Sequence, residues 1–290
     1  MTVMITGAFG FLGTNLCDEY LRAGEKVVAY DLTYRIPKFL KEFENDENLI
    51  TVKGDVTDSW RLIESIKRYD VTDIIHAATL LEDKASLQRP YNFLRTNIMG
   101  GLNVLEAARF CRIRRLVVVS SRAAYGSYEP SQGPLKEDSF LKPSGFYGAS
   151  KASIDLVLPL YRLHYKVDAV SIRTTGLFGP GQGECGLSDV GTATLIYSIL
   201  SSALAGKPFS LSSGGDHYLE FCYVKDLTKW IKVVMEREYV QHPIYNLCYG
   251  QSFSIKKIVG IISRLLKNSS QFWFWYESYG NEPRRVRDQI

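Results

Sequence analysis

The residues of this chain best suited to acid–base chemistry are a tyrosine and a lysine four positions apart, Tyr147 and Lys151. In a helix, this spacing places both side chains on one face, one turn apart. A lysine ammonium beside a phenol stabilises the phenolate and lowers the phenol pKa from about 10 toward neutrality. We therefore expect Tyr147 to act as a general acid/base, with Ser121 holding a substrate hydroxyl beside it. Such pairs also occur by chance on exposed helices, so the surrounding elements must support the assignment.

A glycine-rich turn stands near the start of the chain, directly after a short apolar run. Gly7 permits a tight turn, Gly10 lets the backbone approach a pyrophosphate, and Gly13 lets the next helix pack closely on the strand. The helix predicted over residues 11–22 directs its N-terminal amides at the phosphates. Asp31 ends the second strand, where a carboxylate accepts hydrogen bonds from the adenosine ribose and repels a 2′-phosphate. The sequence therefore predicts NAD as the cofactor, and not NADP.

Strands and helices alternate along the first part of the chain. Six short apolar runs predict parallel strands, near residues 3–5, 27–30, 49–52, 74–78, 116–119 and 169–172. The helical patterns between them predict an α/β fold with a doubly wound parallel Rossmann sheet. Ligands of such sheets bind at the carboxyl ends of the strands. Gly7, Asp31, Asp55, Ala77 and Ser121 all follow such ends.

The 290 residues are expected to divide into two joined parts. Residues 1–175 are predicted to form the NAD-binding Rossmann domain, including the helix of Tyr147 and Lys151. Residues 176–290 are predicted to form most of a smaller C-terminal α/β substrate-binding region, with some segments returning to the Rossmann sheet. The helix near 147–165 is apolar nearly all round, which suggests a partner subunit. We expect a homodimer through this helix and the one near 91–111.

Composition excludes several classes of protein. The five cysteines are scattered and never form a CxxC pair, so we expect a reducing compartment, no disulfide framework and no metal site. No apolar run reaches the roughly eighteen residues of a membrane span, and the net charge of +4 shows no nucleic-acid stripe. The chain begins directly with the first strand, which leaves no room for a signal peptide. We expect a cytoplasmic protein without membrane or nucleic-acid partners.

A set of short motifs runs through the chain. They are Thr6-Gly7-x-x-Gly10-x-x-Gly13, Gly54-Asp55-Val56-Thr57-Asp58, His76-Ala77-Ala78, Asn97, Ser121 with Tyr125-Gly126, Tyr147 with Lys151, Gly179-Pro180, and Phe221-Cys222-Tyr223-Val224-Lys225-Asp226. Together they resemble the extended short-chain dehydrogenase/reductase family, the NAD-dependent epimerase/dehydratase group, and the chain is similar to its nucleotide-sugar epimerases. The motifs are highly specific for the family and much less specific for a substrate.

The resemblance implies functional residues and a chemistry. The implied cofactor-binding residues are Gly7, Phe9, Gly10, Phe11, Leu12, Gly13, Asp31, Leu32, Asp55, Val56, Ala77, Ala78, Asn97, Ser120, Tyr147, Lys151 and Thr174. The implied substrate contacts are Thr79, Ser121, Arg122, Tyr147 and Gly176. In this chemistry Tyr147 takes a proton from a substrate hydroxyl while hydride passes to the nicotinamide. Lys151 supports the phenolate and holds the nicotinamide ribose, and Ser121 orients the hydroxyl.

Four residues depart from the family pattern. Dehydratases carry an Asp-Glu pair after the catalytic hydroxyl, where this chain has Arg122-Ala123, so 4,6-dehydration is not expected. Nucleotide-sugar enzymes usually have an asparagine where this chain has Gly176, and an arginine where it has Leu219. Two contacts to a sugar nucleotide are therefore expected to be missing.

These observations leave three hypotheses. The first is an NAD-dependent epimerase acting on a nucleotide sugar of the UDP-hexose type through a transient ketone. The second is an NAD-dependent dehydrogenase of a free sugar, a sugar acid or another secondary alcohol, which Gly176 and Leu219 favour. The third is a non-catalytic NAD-binding regulatory protein, against which the intact Ser121, Tyr147 and Lys151 argue.

Overall fold

The fold is built on one parallel β-sheet. A computed structural model describes residues 1–81, 88–127, 133–184, 194–207, 209 and 215–266, together with two short strands at 275–276 and 284–285. The strands are β1 (Thr2–Thr6), β2 (Lys26–Asp31), β3 (Leu49–Lys53), β4 (Asp73–His76), β5 (Arg115–Ser121), β6 (Ala169–Thr174), β7 (Leu177–Phe178), β8 (Tyr218–Glu220), β9 (Cys222–Tyr223), β10 (Ile244–Asn246), β11 (Ser252–Ser254), β12 (Trp275–Tyr276) and β13 (Arg284–Arg285).

The central sheet has its strands in the order β3-β2-β1-β4-β5-β6-β10 among the described residues. Every neighbouring pair in it is parallel. The winding reverses between β1 and β4, which confirms the predicted doubly wound Rossmann sheet. A crevice for a ligand is expected at such a reversal, outside the carboxyl ends of the strands. Gly7 and Ala77 directly follow the two strands that flank this reversal.

Helices cover the sheet between its strands. They are α1 (Phe11–Arg22), α2 (Ser59–Arg68), α3 (Pro90–Leu94), α4 (Gly100–Phe110), α5 (Phe146–Tyr165), α6 (Leu195–Leu204), α7 (Val224–Glu236) and α8 (Ile255–Leu265). The bounds predicted for α1 are confirmed. The side chain of Asp58 caps α2 by accepting a hydrogen bond from the amide of Arg61 at 2.9 Å, because the first amides of a helix lack partners within it.

The two faces of the sheet carry separate apolar layers. On one face, Leu16 of α1 and Ile231 of α7 are fully buried in a cluster with β1 and β2. On the other face, Leu62 of α2, Leu105 of α4 and Leu158 of α5 are fully buried in a second cluster. Burial of each such side chain contributes roughly 1.5–3 kcal/mol, so these layers hold the strand ends in fixed positions.

A third, smaller apolar cluster joins α6 and α8, with Ile199 and Val259 packed near Phe221. Beside it, β8 pairs antiparallel with β11, and β7 pairs parallel with β9. Two later segments belong to the large sheet, because β10 pairs with β6 and α7 packs on its face. The division of the chain after residue 175 stays a prediction.

Two predicted elements are wrong in detail. The helix expected over 91–111 is interrupted, because a π-helical turn at Arg95–Met99 separates α3 from α4. The sequence pattern also predicts a single strand over Leu219–Tyr223, but the strand is divided, since β8 and β9 pair with different partners. Further elements are predicted at 190–204, 208–211 and 272–276. Parts of the first and third, and all of the second except residue 209, lie outside the described residues.

The described helices include none that is long and apolar enough to cross a membrane. The cysteines at 17, 111, 222 and 248 are free thiols, and Cys185 lies outside the described residues. Groups of three or more His, Cys, Asp or Glu side chains able to hold a metal ion are absent from the described part of the chain.

Candidate active site

The glycine turn is packed too tightly to accept side chains. Gly7 has a φ of +68°, and a Cβ there would lie 2.6 Å from the Cα of Ala78. A Cβ at Gly13 would lie 2.0 Å from the carbonyl oxygen of Gly7. The turn after β1 thus lies directly against the turn after β4. Because the N-cap of α1 is Gly10, the capping residue itself has no side chain to bind the first amides of that helix.

Asp31 is held beside this turn by backbone amides. Its Oδ2 accepts a hydrogen bond from the amide of Phe9 at 3.0 Å, and its Oδ1 accepts one from Thr33 at 3.2 Å. The next residue, Leu32, is exposed. The carboxylate expected to receive the ribose is therefore fixed to the phosphate-binding turn before any ligand arrives.

The turn after β3 is closed by its own polar groups. Oδ1 of Asp55 accepts a hydrogen bond from the amide of Thr57 at 2.8 Å. Val56 is buried against α4, where a Cβ at Gly100 would lie 2.6 Å from its Cγ2. Contact of Asp55 and Val56 with a cofactor stays a prediction.

Asn97, which lies in the π-helical turn, anchors the segment after β4. Its Oδ1 accepts a hydrogen bond from the amide of Leu80 at 2.8 Å, and its Nδ2 donates to the Leu80 carbonyl at 2.9 Å. The same Nδ2 donates to Oγ of Ser150 on α5 at 3.2 Å. Asn97 thus ties the segment of Ala77, Ala78 and Thr79 to the helix that carries Tyr147. The local sequence carries no signal for this arrangement.

Ser121 and Tyr147 meet as predicted at the carboxyl end of β5. Their side chains are hydrogen-bonded, and the Oγ of Ser121 also accepts a hydrogen bond from the amide of Ala123 at 3.1 Å. Lys151 is buried one turn along α5, with Nζ 5.6 Å from the centre of the Tyr147 ring. Its Nζ donates to the carbonyl oxygen of Val119 at 2.9 Å.

Desolvation sets the pKa values of this pair. Burial raises the pKa of the Tyr147 phenol to about 12, and the hydrogen bond with Ser121 opposes this rise. Burial lowers the pKa of Lys151 to about 8, and the Asp155 carboxylate opposes this fall. The expected lowering of the phenol pKa toward neutrality is wrong for this structure, because burial raises this pKa. At neutral pH the pair is a neutral phenol beside an ammonium.

Ser120 was expected at the cofactor, but its hydroxyl has another partner. It donates to Oδ2 of Asp155 at 2.9 Å, and both residues are buried. Arg173, which pairs with Ser120 in the parallel register of β5 and β6, donates from Nε to the same oxygen at 2.7 Å. Asp155 and Arg173 were missed by the sequence analysis. Their only local signal was an acidic residue one turn after Lys151 on an otherwise apolar helix face.

His76 is a buried, hydrogen-bonded histidine, with Nδ1 2.7 Å from the Oγ1 of Thr6. Burial and the nearby charge of Lys151 lower its pKa to about 3. It is therefore neutral at physiological pH, and its contact with β1 is sufficient to explain its burial.

The packing around Gly176 explains why this position departs from the family pattern. Gly176 has a φ of +48°, and a Cβ there would lie 2.4 Å from the carbonyl oxygen of Glu220. Leu219 on the same strand is part of the apolar cluster of α6 and α8. An asparagine side chain has no room at position 176, because the backbone of β8 occupies that space. Nearby, Thr174 pairs in register with Ser121 and lies against the Cys222 thiol.

Arg122 directly follows Ser121 and is exposed. Among the described residues, no side chain or carbonyl group forms a hydrogen bond or an ion pair with its guanidinium. Its backbone is fixed, since the next residue, Ala123, donates to Ser121 and packs its carbonyl against Gly148 of α5. The site therefore has an exposed arginine directly after Ser121 in the chain, with no partner for its guanidinium among the residues that the structure describes.

A sequence model of the NAD dependent epimerase/dehydratase family matches residues 3–248. The chain belongs to this family. It is 27% identical over 272 residues to a UDP-glucuronate 4-epimerase of Thermodesulfobacterium geofontis, covering 91% of this chain and 80% of that protein. It is 30% identical over 233 residues to a UDP-glucose 4-epimerase of Mycolicibacterium smegmatis, covering 78% of this chain and 71% of the relative.

A solved structure agrees with these relatives. It is the UDP-N-acetylglucosamine 4-epimerase from Methanobrevibacter ruminantium in complex with UDP-N-acetylmuramic acid. The two chains superpose with a TM-score of 0.83 at 28% identity, covering 99% of this chain and 89% of the other. The resemblance inferred from the motifs is confirmed.

NAD is the cofactor of this epimerase/dehydratase family, and the residues present fit it. The glycine turn has no space for a Cβ at Gly7 or Gly13, so bare backbone faces the crevice. The uncapped amides of α1 and its dipole favour a pyrophosphate there. Asp31, held to the turn through Phe9, supplies the acceptor that a ribose diol requires.

Proposed function

We propose that this protein epimerises a nucleotide sugar of the UDP-hexose type through a transient ketone. The observation that carries the proposal is the hydrogen-bonded pair of Ser121 and Tyr147 beside the buried Lys151, at the carboxyl end of β5. Both relatives described above are named as 4-epimerases of UDP-sugars, which supports this substrate class. Arg122 and Ala123 stand where a dehydratase has two carboxylates, which argues against 4,6-dehydration.

The chain's own residues move the proton. Ser121 orients the substrate hydroxyl, and the Tyr147 oxygen accepts its proton during oxidation and returns it during reduction. Because the phenol is neutral at physiological pH, it must first release its own proton to bulk water, which becomes the proton acceptor. A neighbouring ammonium such as that of Lys151 favours the resulting phenolate. NAD, when bound, supplies the acceptor and donor for the two electrons of this chemistry. General acid–base catalysis of this kind contributes roughly 10²–10⁴ to a rate.

The cofactor and substrate contacts are also proposals. We propose that the cofactor is held by the residues assigned in the sequence analysis, with the exception of the Ser120 hydroxyl, which is bound to Asp155. Thr79 and Ser121 remain proposed substrate contacts. At Gly176 only the backbone is available to a substrate, since the position admits no side chain.

A second candidate is a dehydrogenase of a free sugar or sugar acid. The tight packing of Gly176 against Glu220 and the apolar environment of Leu219 favour it, because both positions lack polar side chains for a nucleotide. The interaction between the hydroxyls of Ser121 and Tyr147 argues against an NAD-binding protein without catalysis.

Calorimetric titration with UDP, with and without NAD, separates the first two candidates. Saturable UDP binding supports the nucleotide-sugar epimerase. NAD binding without UDP binding would favour the dehydrogenase, and NADH formation would then be followed with free sugars and sugar acids.

Arg122 suggests a narrower substrate class within the UDP-sugars. An exposed guanidinium on the residue after Ser121, without a partner among the described residues, favours a substrate with an anion near its reacting hydroxyl. A sugar carboxylate meets this requirement, and its charge would be paired with Arg122 on binding. We therefore expect a preference for UDP-linked uronic acids over neutral UDP-hexoses.

We also propose a homodimer. On α5, Leu156, Leu160 and Leu163 form a stripe and are 64%, 51% and 61% exposed. On α4, Phe110 is 61% exposed, and Glu106 ties this helix to α5 through the hydroxyl of Tyr161. Adjacent exposed apolar helix faces of this kind mark a protein interface. The free thiols favour a reducing compartment, and we propose the cytoplasm.

A further inference from the structure

Three side chains of α5, each one turn after the last, contact the final three residues of β5. Tyr147 is hydrogen-bonded to Ser121, and Lys151 donates to the carbonyl of Val119. Asp155 then accepts a hydrogen bond from the hydroxyl of Ser120 at 2.9 Å. The helix and the strand end are thus joined at three points. The outermost is the contact of Tyr147 with Ser121, which we call the catalytic pair.

Asp155 is the most deeply embedded of these contacts, with 1% of its surface exposed. Its Oδ2 receives Ser120 and the Nε of Arg173, and its Oδ1 receives the hydroxyl of Ser171. The carboxylate therefore joins α5 to both β5 and β6. Arg173 extends the network by donating to the hydroxyl of Tyr125 at 2.6 Å, near the end of the segment that follows Ser121.

The charges around Lys151 come from three elements. Asp155 and the phenol of Tyr147 lie on its own helix, and Arg173 of β6 is paired with Asp155. His76 of β4 is neutral, because burial lowers its pKa to about 3. Asp155 is the anion that opposes the effect of burial on Lys151, and it does so while neutralising Arg173.

We propose that Asp155 is a positioning residue for the catalytic pair, holding the carboxyl end of β5 against α5 and holding Lys151 as an ammonium. This inference rests on the proposed roles of Tyr147 and Lys151. If the ion pair of Asp155 with Arg173 only stabilised the fold, the contact of Asp155 with Ser120 would not affect catalysis. In the positioning role proposed here, that contact does affect catalysis.

The test compares two hydroxyl deletions on the same carboxylate. Ser120→Ala removes the contact with the strand end that carries Ser121, and Ser171→Ala removes the contact with β6. Both lose one buried hydrogen bond and are expected to shift the urea midpoint of unfolding by similar amounts. We expect Ser120→Ala to lower kcat for UDP-sugar epimerisation roughly tenfold with KM unchanged, and Ser171→Ala to change kcat by less than about twofold.

A readout that needs no substrate is the ¹³Cε resonance of Lys151, identified by its absence from Lys151→Arg. We expect Ser120→Ala to displace this resonance and Ser171→Ala to leave it in place. Asp155→Asn is expected to shift the midpoint of the Lys151 titration to lower pH. The alkaline limb of the pH profile of kcat/KM should shift in the same direction. Where Asp155→Asn does not fold, because Arg173 has lost its counter-charge, the two serine variants carry the test.

Equal effects of the two serine variants on kcat, or an unchanged Lys151 resonance in Ser120→Ala, would overturn the proposal. An unchanged titration midpoint in folded Asp155→Asn would do the same. If the wild-type protein converts no UDP-sugar, the proposed function fails, but the resonance of Lys151 still tests the role of Asp155.

Discussion

The Nζ of Lys151 lies 2.9 Å from the carbonyl oxygen of Val119, two residues before Ser121 on β5. This hydrogen bond holds the ammonium at the end of β5, with Nζ 5.6 Å from the centre of the Tyr147 ring. Lys151 is only 8% exposed, so its charge is held in a poorly hydrated site. This burial has a measurable effect on the pH dependence of folding.

The free energy of unfolding should rise with pH because of Lys151. Its pKa falls from the ordinary 10.5 to about 8 on folding. Between these values the unfolded chain binds more protons than the folded chain, so stability increases with pH and is constant below the lower value. We therefore subtract the free energy of unfolding of Lys151→Met from that of the wild type. We expect this signed difference to rise by about 2 kcal/mol from about pH 7 to about pH 9.5.

Urea unfolding across this range measures the effect. Lys229→Met, which removes an exposed lysine of α7, is the control and should give a constant difference from the wild type. A constant or falling difference for Lys151→Met would contradict the burial of its charge.

The glycine turn offers a matched pair of substitutions. Gly7 and Gly24 both have positive φ, at +68° and +74°, so alanine costs about 1–2 kcal/mol of backbone strain at either position. Only at Gly7 does the new methyl group meet backbone, 2.6 Å from the Cα of Ala78. We expect Gly7→Ala to lose more stability than Gly24→Ala and to weaken NAD binding at least roughly tenfold.

Thermal unfolding and calorimetric titration with NAD provide the two readouts. Gly24→Ala should bind NAD as the wild type does. Equal NAD affinity in the two variants would show that the close approach of the turns is not needed for the cofactor.

Arg122 is predicted to select an anionic sugar. Arg122→Ala removes the charge beside Ser121, and we expect kcat/KM for UDP-glucuronate to fall roughly tenfold or more, because the substrate carboxylate loses its partner. The value for UDP-glucose should change by about twofold or less, since a neutral sugar makes no ion pair. Steady-state kinetics with both substrates measures this ratio.

The control for net charge is Arg237→Ala. The carbonyl of Arg237 accepts a hydrogen bond from Arg115 at the start of β5, so this residue lies at the opposite end of that strand from Ser121. An equal loss for the two sugars in Arg122→Ala would remove the substrate preference proposed here.

The apolar stripe on α5 is predicted to form a dimer interface. Leu160→Glu places a charge in its centre, and burying that charge without a partner would be costly, so we expect a monomer. Leu204→Glu alters a leucine of α6 that is 74% exposed and should leave the mass unchanged. Light scattering after size-exclusion chromatography measures both variants. A monomeric wild type, or a dimeric Leu160→Glu, would exclude this interface.

The repeating parts of the fold could be predicted from local patterns. The glycine turn, α1 and the parallel strands follow from residue spacing, since each pattern determines an element of a few residues. The proximity of Ser121 and Tyr147 was also predicted, because the helix that begins near Tyr147 follows the strand that ends in Ser121.

Other features depend on contacts between distant segments. The π-helical turn exists around Asn97, whose amide is bound to Leu80, and no local pattern contains that pairing. The sequence marked Gly176 as a missing contact, but its cause is the backbone of Glu220, which comes from a later part of the chain. Likewise, the hydrogen bond of Ser120 to Asp155 joins residues 35 positions apart, so no local pattern contains it.

The central claim is that Tyr147 transfers the proton in epimerisation of a UDP-sugar. The most direct test is to incubate the protein and NAD with UDP-glucuronate or UDP-glucose and follow the sugar by NMR and NADH by absorbance. We predict that the 4-epimer forms without net NADH, that Tyr147→Phe is slower by roughly 10²–10⁴, and that Tyr165→Phe on the same helix keeps full activity. NADH accumulating from a free sugar while UDP-sugars stay unchanged, or an undiminished rate in Tyr147→Phe, would contradict the claim.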